Sequence, residues 1–300
     1  MAEMTARKKL VYSYFPGCSL EGVNEAYDIS TRNTARVLGM ELRELDDWNC
    51  CGATAYVAVN EKKAFVLSAR NLALAEKQGL DLVTVCSGCY LALYKANKYI
   101  AQNPTLRAEV RNALRAGGMD FAGNVRVRHF LEVVVNDVGE EIVRRHVVKP
   151  LKGLRVACYH GCQIGRPFGD IDDPEKPNLM NRLLSWLGAE PVEFPMNSKC
   201  CGGLMMSTHP EMGLKLSGSI LQCARRRNAD AVITACPLCQ VNLEARQGEI
   251  SKAMGFDSRI PIMYFTQAMG CALGLGSKDL ALGDSLSPVE EVLAAKGVLS

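Results

Sequence analysis

Apolar positions along this chain follow two periods that alternate, and the alternation happens twice. Short, largely apolar runs such as Val11-Tyr12-Ser13-Tyr14-Phe15 and Leu82-Val83-Thr84-Val85 have the length of a buried strand. Between such runs lie longer stretches, about 59–78 and 210–228, whose apolar residues recur at helical spacing. The first half opens on a strand-like run that ends at Gly17-Cys18, and the second on Leu154–Tyr159, ending at Gly161-Cys162. A helical stretch then closes at Leu38-Gly39 or Leu187-Gly188, with glycine where a helix C-cap belongs. An extended segment (Glu41–Leu45; Pro191–Phe194) leads to Cys-Cys-Gly, then the amphipathic stretch and a strand (82–85; 231–234). Each of those strands ends in Cys-x-x-Cys, and a final strand is expected at Val125–Val127 or Pro261–Tyr264. Strands alternating with helices predict βαβ units, an α/β fold and mainly parallel sheets in two pseudo-symmetric halves. The division into domains 1–150 and 151–300 falls near Lys149-Pro150-Leu151-Lys152-Gly153.

The halves differ locally. The second has six extra residues before its cysteine pair, placed in Arg166–Pro174, whose Asp170, Asp172 and Asp173 predict a solvated acidic loop. The first has an additional helical stretch around 105–116. Ser287-Pro288-Val289-Glu290 has the order of a capping box, predicting a last helix that packs on the body.

The bulk composition narrows the function. The chain has 300 residues, 48 % hydrophobic and 22 % charged, as in an ordinary globular protein with room for two cores. A formal net charge of +3, with no basic stripe interleaved with aromatics, gives nucleic acid no support. Arg225-Arg226-Arg227 ends a helix, where cations suit the dipole. No apolar run of about 18 residues exists to span a membrane. The apolar stretch after Arg7-Lys8-Lys9 is too short for a secretory signal, so a cytoplasmic location is expected. Cysteines at fixed spacings there are metal ligands or redox groups more often than disulfides.

Ten of the 13 cysteines form two matching sets of five. Cys18 is followed after 31 residues by Cys50-Cys51 and after 34 more by Cys86-Ser-Gly-Cys89. Cys162 is followed after 37 residues by Cys200-Cys201 and after 34 more by Cys236-Pro-Leu-Cys239. Adjacent cysteines have Cα atoms about 3.8 Å apart, closer than an unstrained disulfide accepts, and two adjacent thiolates repel unless a cation joins them. Cys-x-x-Cys alone fits a thioredoxin-type pair, which leaves the Cys-Cys and Gly-Cys elements unexplained. Structural zinc takes four ligands, as does an ordinary cubane cluster. Five thiolates per half suit an unusual polynuclear iron–sulfur centre, and Gly52 and Gly202-Gly203 leave room for one. Zinc remains the alternative.

The other candidates are blander. Cys158, Cys223 and Cys271 fall in strand or helix patterns and behave as small hydrophobes. His160 and His209 lie near the second set, where hydrogen bonding is the simpler role and tuning of a cluster the sharper one. Met205-Met206 is expected in the core. No Gly-x-Gly-x-x-Gly follows a strand, so flavin or nicotinamide has no support, and no hydrolase elbow or Walker loop occurs.

Two Cys…Cys-Cys-Gly…Cys-x-x-Cys units, with Gly161-Cys162-Gln163 and Arg166-Pro167 after the second leading strand, resemble the B subunit of heterodisulfide reductase over nearly the whole chain. The resemblance implies two Rossmann-like cysteine-rich domains and two non-cubane 4Fe–4S clusters facing a shared cleft. One cluster would take Cys18, Cys50, Cys51, Cys86 and Cys89, and the other Cys162, Cys200, Cys201, Cys236 and Cys239. It implies an oxidoreductase that cleaves or forms a disulfide between the clusters, of the methanogen type or the bacterial sulfur-metabolising type. The chain lacks a ferredoxin Cys-x-x-Cys-x-x-Cys run and a flavin motif. The resemblance therefore implies the family's ferredoxin-like C subunit and flavin-bearing A subunit as partners. The thiol or disulfide substrate would be small or protein-bound. Two alternatives stay open: an electron-transfer or docking iron–sulfur subunit of a dehydrogenase complex, and a zinc-stabilised structural protein.

Overall fold

The computed structural model describes residues 9–53 and 55–299, so Arg7 and Lys8 of the basic N-terminal stretch lie outside the described residues. The buried apolar runs form β1 (Leu10–Phe15), β2 (Met40–Glu44), β3 (Leu82–Thr84) and β4 (Val127–His129). The second half repeats them as β5 (Arg155–Tyr159), β6 (Glu190–Pro191), β7 (Ala231–Thr234) and β8 (Ile262–Tyr264). The sheets have matching orders, β2-β1-β3-β4 and β6-β5-β7-β8, and every pair is parallel. Parallel neighbours need helical crossovers, here including Glu25–Val37 and Glu61–Gln78 in the first half and Leu179–Trp186 and Pro210–Arg226 in the second. The α/β class and the repeat are as the pattern predicts.

Four details differ. The last strand of the first half starts two residues later than expected, because Leu82–Thr84 pair with Val127, Arg128 and His129. Arg128 and His129 are buried polar residues, which conceal a strand from a reading of apolar runs. The second extended segment shrinks to two residues, since Pro191 has no N–H to give a neighbour. The acidic loop is docked rather than solvated. Asp170 accepts hydrogen bonds from Tyr94 Oη (2.6 Å) and Lys98 Nζ (3.0 Å), both on helix Ser87–Gln102 of the first half. Asp172 accepts from the backbone N–H groups of Asn178 and Leu179 (2.8 Å each), capping helix Leu179–Trp186.

The capping box at the tail is also replaced. Ser287 Oγ donates to Glu244 Oε1 (2.5 Å) and accepts from Ile262 N (3.1 Å) instead of capping helix Val289–Ala295. The helix still packs on the body as expected, through buried Val289 and Leu293.

The halves share one apolar core that takes Tyr14, Tyr27 and Val83 from the first half and Ile233, Met263 and Phe265 from the second. Tyr27 stacks on Tyr264 with ring centroids 3.8 Å apart, and stacked pairs add about 0.5–1.5 kcal/mol beyond area burial. Tyr264 Oη donates to Asn24 Oδ1 (2.6 Å), and the Ser30 and Thr266 hydroxyls meet at 2.7 Å. This seam joins the two halves, and residues that follow the carboxyl ends of β1, β2, β3 and β7 come to line one common space.

Candidate functional site

All ten paired cysteines follow the carboxyl ends of strands, where ligands of parallel α/β sheets gather. In the first half Cys18 Sγ lies 3.9 Å from Cys50 Sγ, and Cys51 Sγ lies 3.4 Å from Cys89 Sγ. Cys50 contacts Cys51 and Cys86 contacts Cys89, so the five sulfurs form a chain of contacts. The second half repeats it. Cys162 contacts Cys200, Cys200 contacts Cys201, Cys201 Sγ lies 3.4 Å from Cys239 Sγ, and Cys239 contacts Cys236. Every cysteine is a free thiol. Among the described residues, no three His, Cys, Asp or Glu side chains gather as they would around a single ion.

The two sets also touch each other. Cys86 and Cys236, which open the two Cys-x-x-Cys turns, are in hydrogen-bonding contact across the seam. Ser87 Oγ donates to the carbonyl of Ala235 (2.9 Å), and Tyr27 Oη donates to that of Val85 (2.9 Å), pinning the residue before each of these cysteines. A cavity of about 350 Å³ opens here, lined by Cys18, Cys50, Cys51, Cys86 and Cys89 from one half and Cys236 from the other.

The local backbone makes this crowding feasible. Gly17, at φ +82°, would place a Cβ 2.9 Å from Cys89 Sγ, and its counterpart Gly161, at φ +71°, one 3.5 Å from Cys239 Sγ. A side chain at Gly17 would intrude on Cys89 Sγ, and at Gly161 the positive φ itself favours glycine. Cys200 Sγ accepts from Gly202 N (3.3 Å), an amide dipole that favours thiolate, whereas Cys86 Sγ, which accepts from Cys89 N (3.5 Å), is pushed up by its contact with Cys236 and by burial.

Within each set the thiols titrate together. Cys51 is held well below an ordinary thiol by hydrogen bonds from Cys50 and Cys89. Cys200 is pulled down by Cys162 and Cys201, and Cys236 by Cys239 and Cys86. Their donors Cys50, Cys162 and Cys239 are pushed up by the same contacts and by burial. Among the described residues no Lys, Arg or His lines the cavity to balance several thiolates. A positively charged inorganic centre would do so, and the donor set fits one. Outside the sets, buried Cys158 and Cys271 have raised pKa values, Cys271 to about 12, mainly through burial. Cys223, half-buried, joins neither set.

His160 Nε2 accepts from Met180 N (3.1 Å), a structural bond, whereas His209 is exposed beside Thr208. Met206 is buried as expected, but Met205 sits exposed at the rim. His129, absent from the sequence-based candidates, is fully buried. Its Nδ1 accepts from Leu131 N (3.2 Å), and its buried Nε2 has no hydrogen-bond partner. Burial lowers the pKa of His129 to about 4 and that of His160 to about 3. The native state keeps both neutral, while the unfolded chain protonates them near 6.5. Their contribution to stability is present above pH 6.5 and is lost as the pH falls from there toward the folded values. The melting temperature is expected to drop between about pH 6.5 and 4, less steeply in His129→Gln; identical slopes in both proteins would contradict this.

Other supporting residues also escape a reading of local pattern. Ser68 Oγ donates to the carbonyl of Cys51 (2.7 Å), and Ser217 Oγ to that of Cys201 (2.8 Å). They stand 17 and 16 residues beyond their cysteines, an equivalence that aligning the two halves would have exposed. Asn242 Nδ2 reaches Cys201 Sγ (3.5 Å) and donates to the Gly203 carbonyl (2.9 Å). Gln163 crosses the seam, its Oε1 3.0 Å from where a Cβ on Gly88 would stand.

Paired parallel sheets, each presenting five thiols at its carboxyl edge, define a duplicated cysteine-rich α/β protein. The chain belongs to the cysteine-rich CCG domain family, whose model matches residues 12–94 and 156–244, and to the group within it that includes the B subunits of heterodisulfide reductases. It is 32 % identical over 277 residues to the 8-methylmenaquinol:fumarate reductase membrane anchor subunit of Wolinella succinogenes, covering 92 % of this chain and 96 % of that protein. It is 29 % identical to the B subunit of the ferredoxin/F420H2-dependent CoB-CoM heterodisulfide reductase of Methanosarcina acetivorans, covering 94 % of this chain and 95 % of that one. A solved structure of a hypothetical protein from Helicobacter pylori shares the fold, with a TM-score of 0.74 at 15 % identity, over 94 % of this chain and 52 % of that chain.

Proposed function

We propose that this chain is the thiol–disulfide redox subunit of a heterodisulfide-reductase-like complex. One 4Fe–4S cluster, of the non-cubane kind, would be held by Cys18, Cys50, Cys51, Cys86 and Cys89, and a second by Cys162, Cys200, Cys201, Cys236 and Cys239. The observation that carries this reading is the meeting of the two sulfur chains at Cys86 and Cys236 in one cavity. When bound, the clusters supply single electrons and iron with an affinity for thiolate sulfur.

The overall change balances simply. A disulfide takes up two electrons and two protons and becomes two thiols, and the reverse direction returns them. The chain's own residues prepare the site for that change. Gly17 keeps a side chain off Cys89, the amide of Gly202 favours anionic sulfur at Cys200, and Ser87 and Tyr27 bond the carbonyls that precede the two Cys-x-x-Cys turns.

The electrons would come from ferredoxin-like and flavin-bearing partner proteins of the same complex. Docking would use exposed apolar side chains that lie in each half just beyond Cys-Cys-Gly. Tyr56 and Val59 are exposed in the first half, and Leu204, Met205 and Met212 in the second.

A second reading is supported by the Wolinella relative, named as a membrane anchor subunit: electron transfer within a dehydrogenase complex. No helix among the described residues is long and apolar enough to cross a membrane, so membrane association would run through the exposed apolar rim or another protein of the complex. The two readings separate on a ligand test. Thiol added to oxidised, anaerobically purified protein is expected to change the paramagnetic signal of the clusters. If the signal stays untouched while the clusters still accept electrons, electron transfer is the function.

A further inference from the structure

Resting on the thiol–disulfide reading, we propose that Gln163 is a catalytic residue of the sulfur-lined cavity. Its side-chain amide donates a hydrogen bond to the substrate sulfur beside the first cysteine set, which turns anionic as the disulfide opens. The S–S bond breaks on uptake of two electrons from the partner proteins, and each sulfur passes through thiolate before a solvent proton makes it a thiol. A thiolate in a confined space needs a donor or a cation beside it. Gln163 gives up no proton; its N–H holds the charge until the proton arrives.

The lining offers few other groups for this task. Among the described residues no Lys, Arg or His lines the cavity, and its side-chain N–H donors are Asn24 and Gln163. The Asn24 amide is engaged at both ends, donating to Ser19 Oγ (2.6 Å) and accepting from Tyr264 Oη (2.6 Å). The half-buried Gln163 amide makes no hydrogen bond within the described residues. It lies among the sulfurs of the other half: a Cβ on Gly88 would stand 3.0 Å from Gln163 Oε1 and 3.6 Å from Cys86 Sγ. With Oε1 against Gly88, both N–H bonds of Nε2 are unused.

The internal repeat shows that this arrangement exists on one side only. Ser19 follows Cys18 as Gln163 follows Cys162, and Leu238 stands in its Cys-x-x-Cys turn where Gly88 stands in the first. Ser19 is too short to cross the seam and is bound by Asn24 in its own half. A leucine offers no hydrogen bond and occupies the room that Gly88 leaves open. The loop bearing Gln163 is also fastened to the helix it reaches. Gly88 lies in the first turn of helix Ser87–Gln102, and Tyr94 and Lys98 farther along it hold Asp170.

The test uses the full, cluster-bearing chain in its native complex, oxidised and kept free of oxygen. It is titrated with 2-mercaptoethanol while the paramagnetic signal is followed per bound iron. Gln163→Leu is expected to need about tenfold more thiol for the same change, because a hydrogen bond to a charged sulfur is lost. Gln163→Glu, nearly the same shape, should be weaker still, and Gln163→Lys, a longer cationic donor, should match the native chain or exceed it. That order follows donor and charge; a packing role would rank the glutamate variant nearest the native chain and the lysine variant last. The packing order, equal potency in all four proteins, or loss of iron from all three variants overturns the inference and leaves the thiol–disulfide reading standing. A native chain whose signal no thiol concentration alters overturns that reading and the inference with it.

Discussion

A Cys236→Ala variant, purified without oxygen, is expected to lose at least half of the iron bound by the native chain. Cys236 has two roles in the arrangement: it contacts Cys239 within its own set and Cys86 across the seam. Removing it takes one of five sulfurs from the second set and the facing partner from the first. Cys200→Ala, which breaks the contacts to Cys162 and Cys201, should likewise empty the second site. Cys223→Ala is the control, because that thiol lies on helix Pro210–Arg226 outside both sets. Iron measured per chain distinguishes the three variants. Full iron in Cys236→Ala, or equal loss from all three, contradicts the proposed ligand sets.

Arg128→Ala is expected to cost about 3–5 kcal/mol of stability, a large share of the roughly 5–15 kcal/mol typical of a folded domain. Arg128 is 4 % exposed at the middle of the three-residue β4. Its guanidinium donates to Glu132 from Nε (2.8 Å) and Nη2 (2.5 Å), and to Asp137 from Nη1 (2.5 Å) and Nη2 (2.8 Å). Tyr12 Oη donates to the same Asp137 carboxylate (2.6 Å). Burial opposes the charge on Asp137, but the bonds from Arg128 and Tyr12 outweigh it and hold the carboxyl below its usual range. Truncating Arg128 leaves Glu132 buried and without its counter-charge. Urea unfolding measures the effect; a loss below about 1 kcal/mol would show that the carboxylates find other partners.

Much of this architecture can be read from residue order alone, and the parts that cannot share a cause. The strands show because β1, β3, β5 and β7 are short apolar runs, and the sulfur sets show because their spacing repeats. Features that depend on contacts between distant residues are hidden. β4 carries Arg128 and His129, polar residues made tolerable by Glu132, Asp137 and the seam, so its register does not follow from hydropathy. Asp170 looks solvated until Tyr94 and Lys98, more than 70 residues away, come to meet it. Ser287 resembles a helix cap, yet Glu244 and Ile262 claim its hydroxyl. The contact of Cys86 with Cys236 is the most consequential of these, because spacing within each half says nothing about how the halves face each other.

The central claim is that these ten thiols hold two polynuclear iron centres. It is tested most directly by iron, zinc and acid-labile sulfide determined per chain on protein purified without oxygen. The account predicts about eight irons and eight sulfides per chain, as two 4Fe–4S clusters require. Stoichiometric zinc with no iron or sulfide would contradict it.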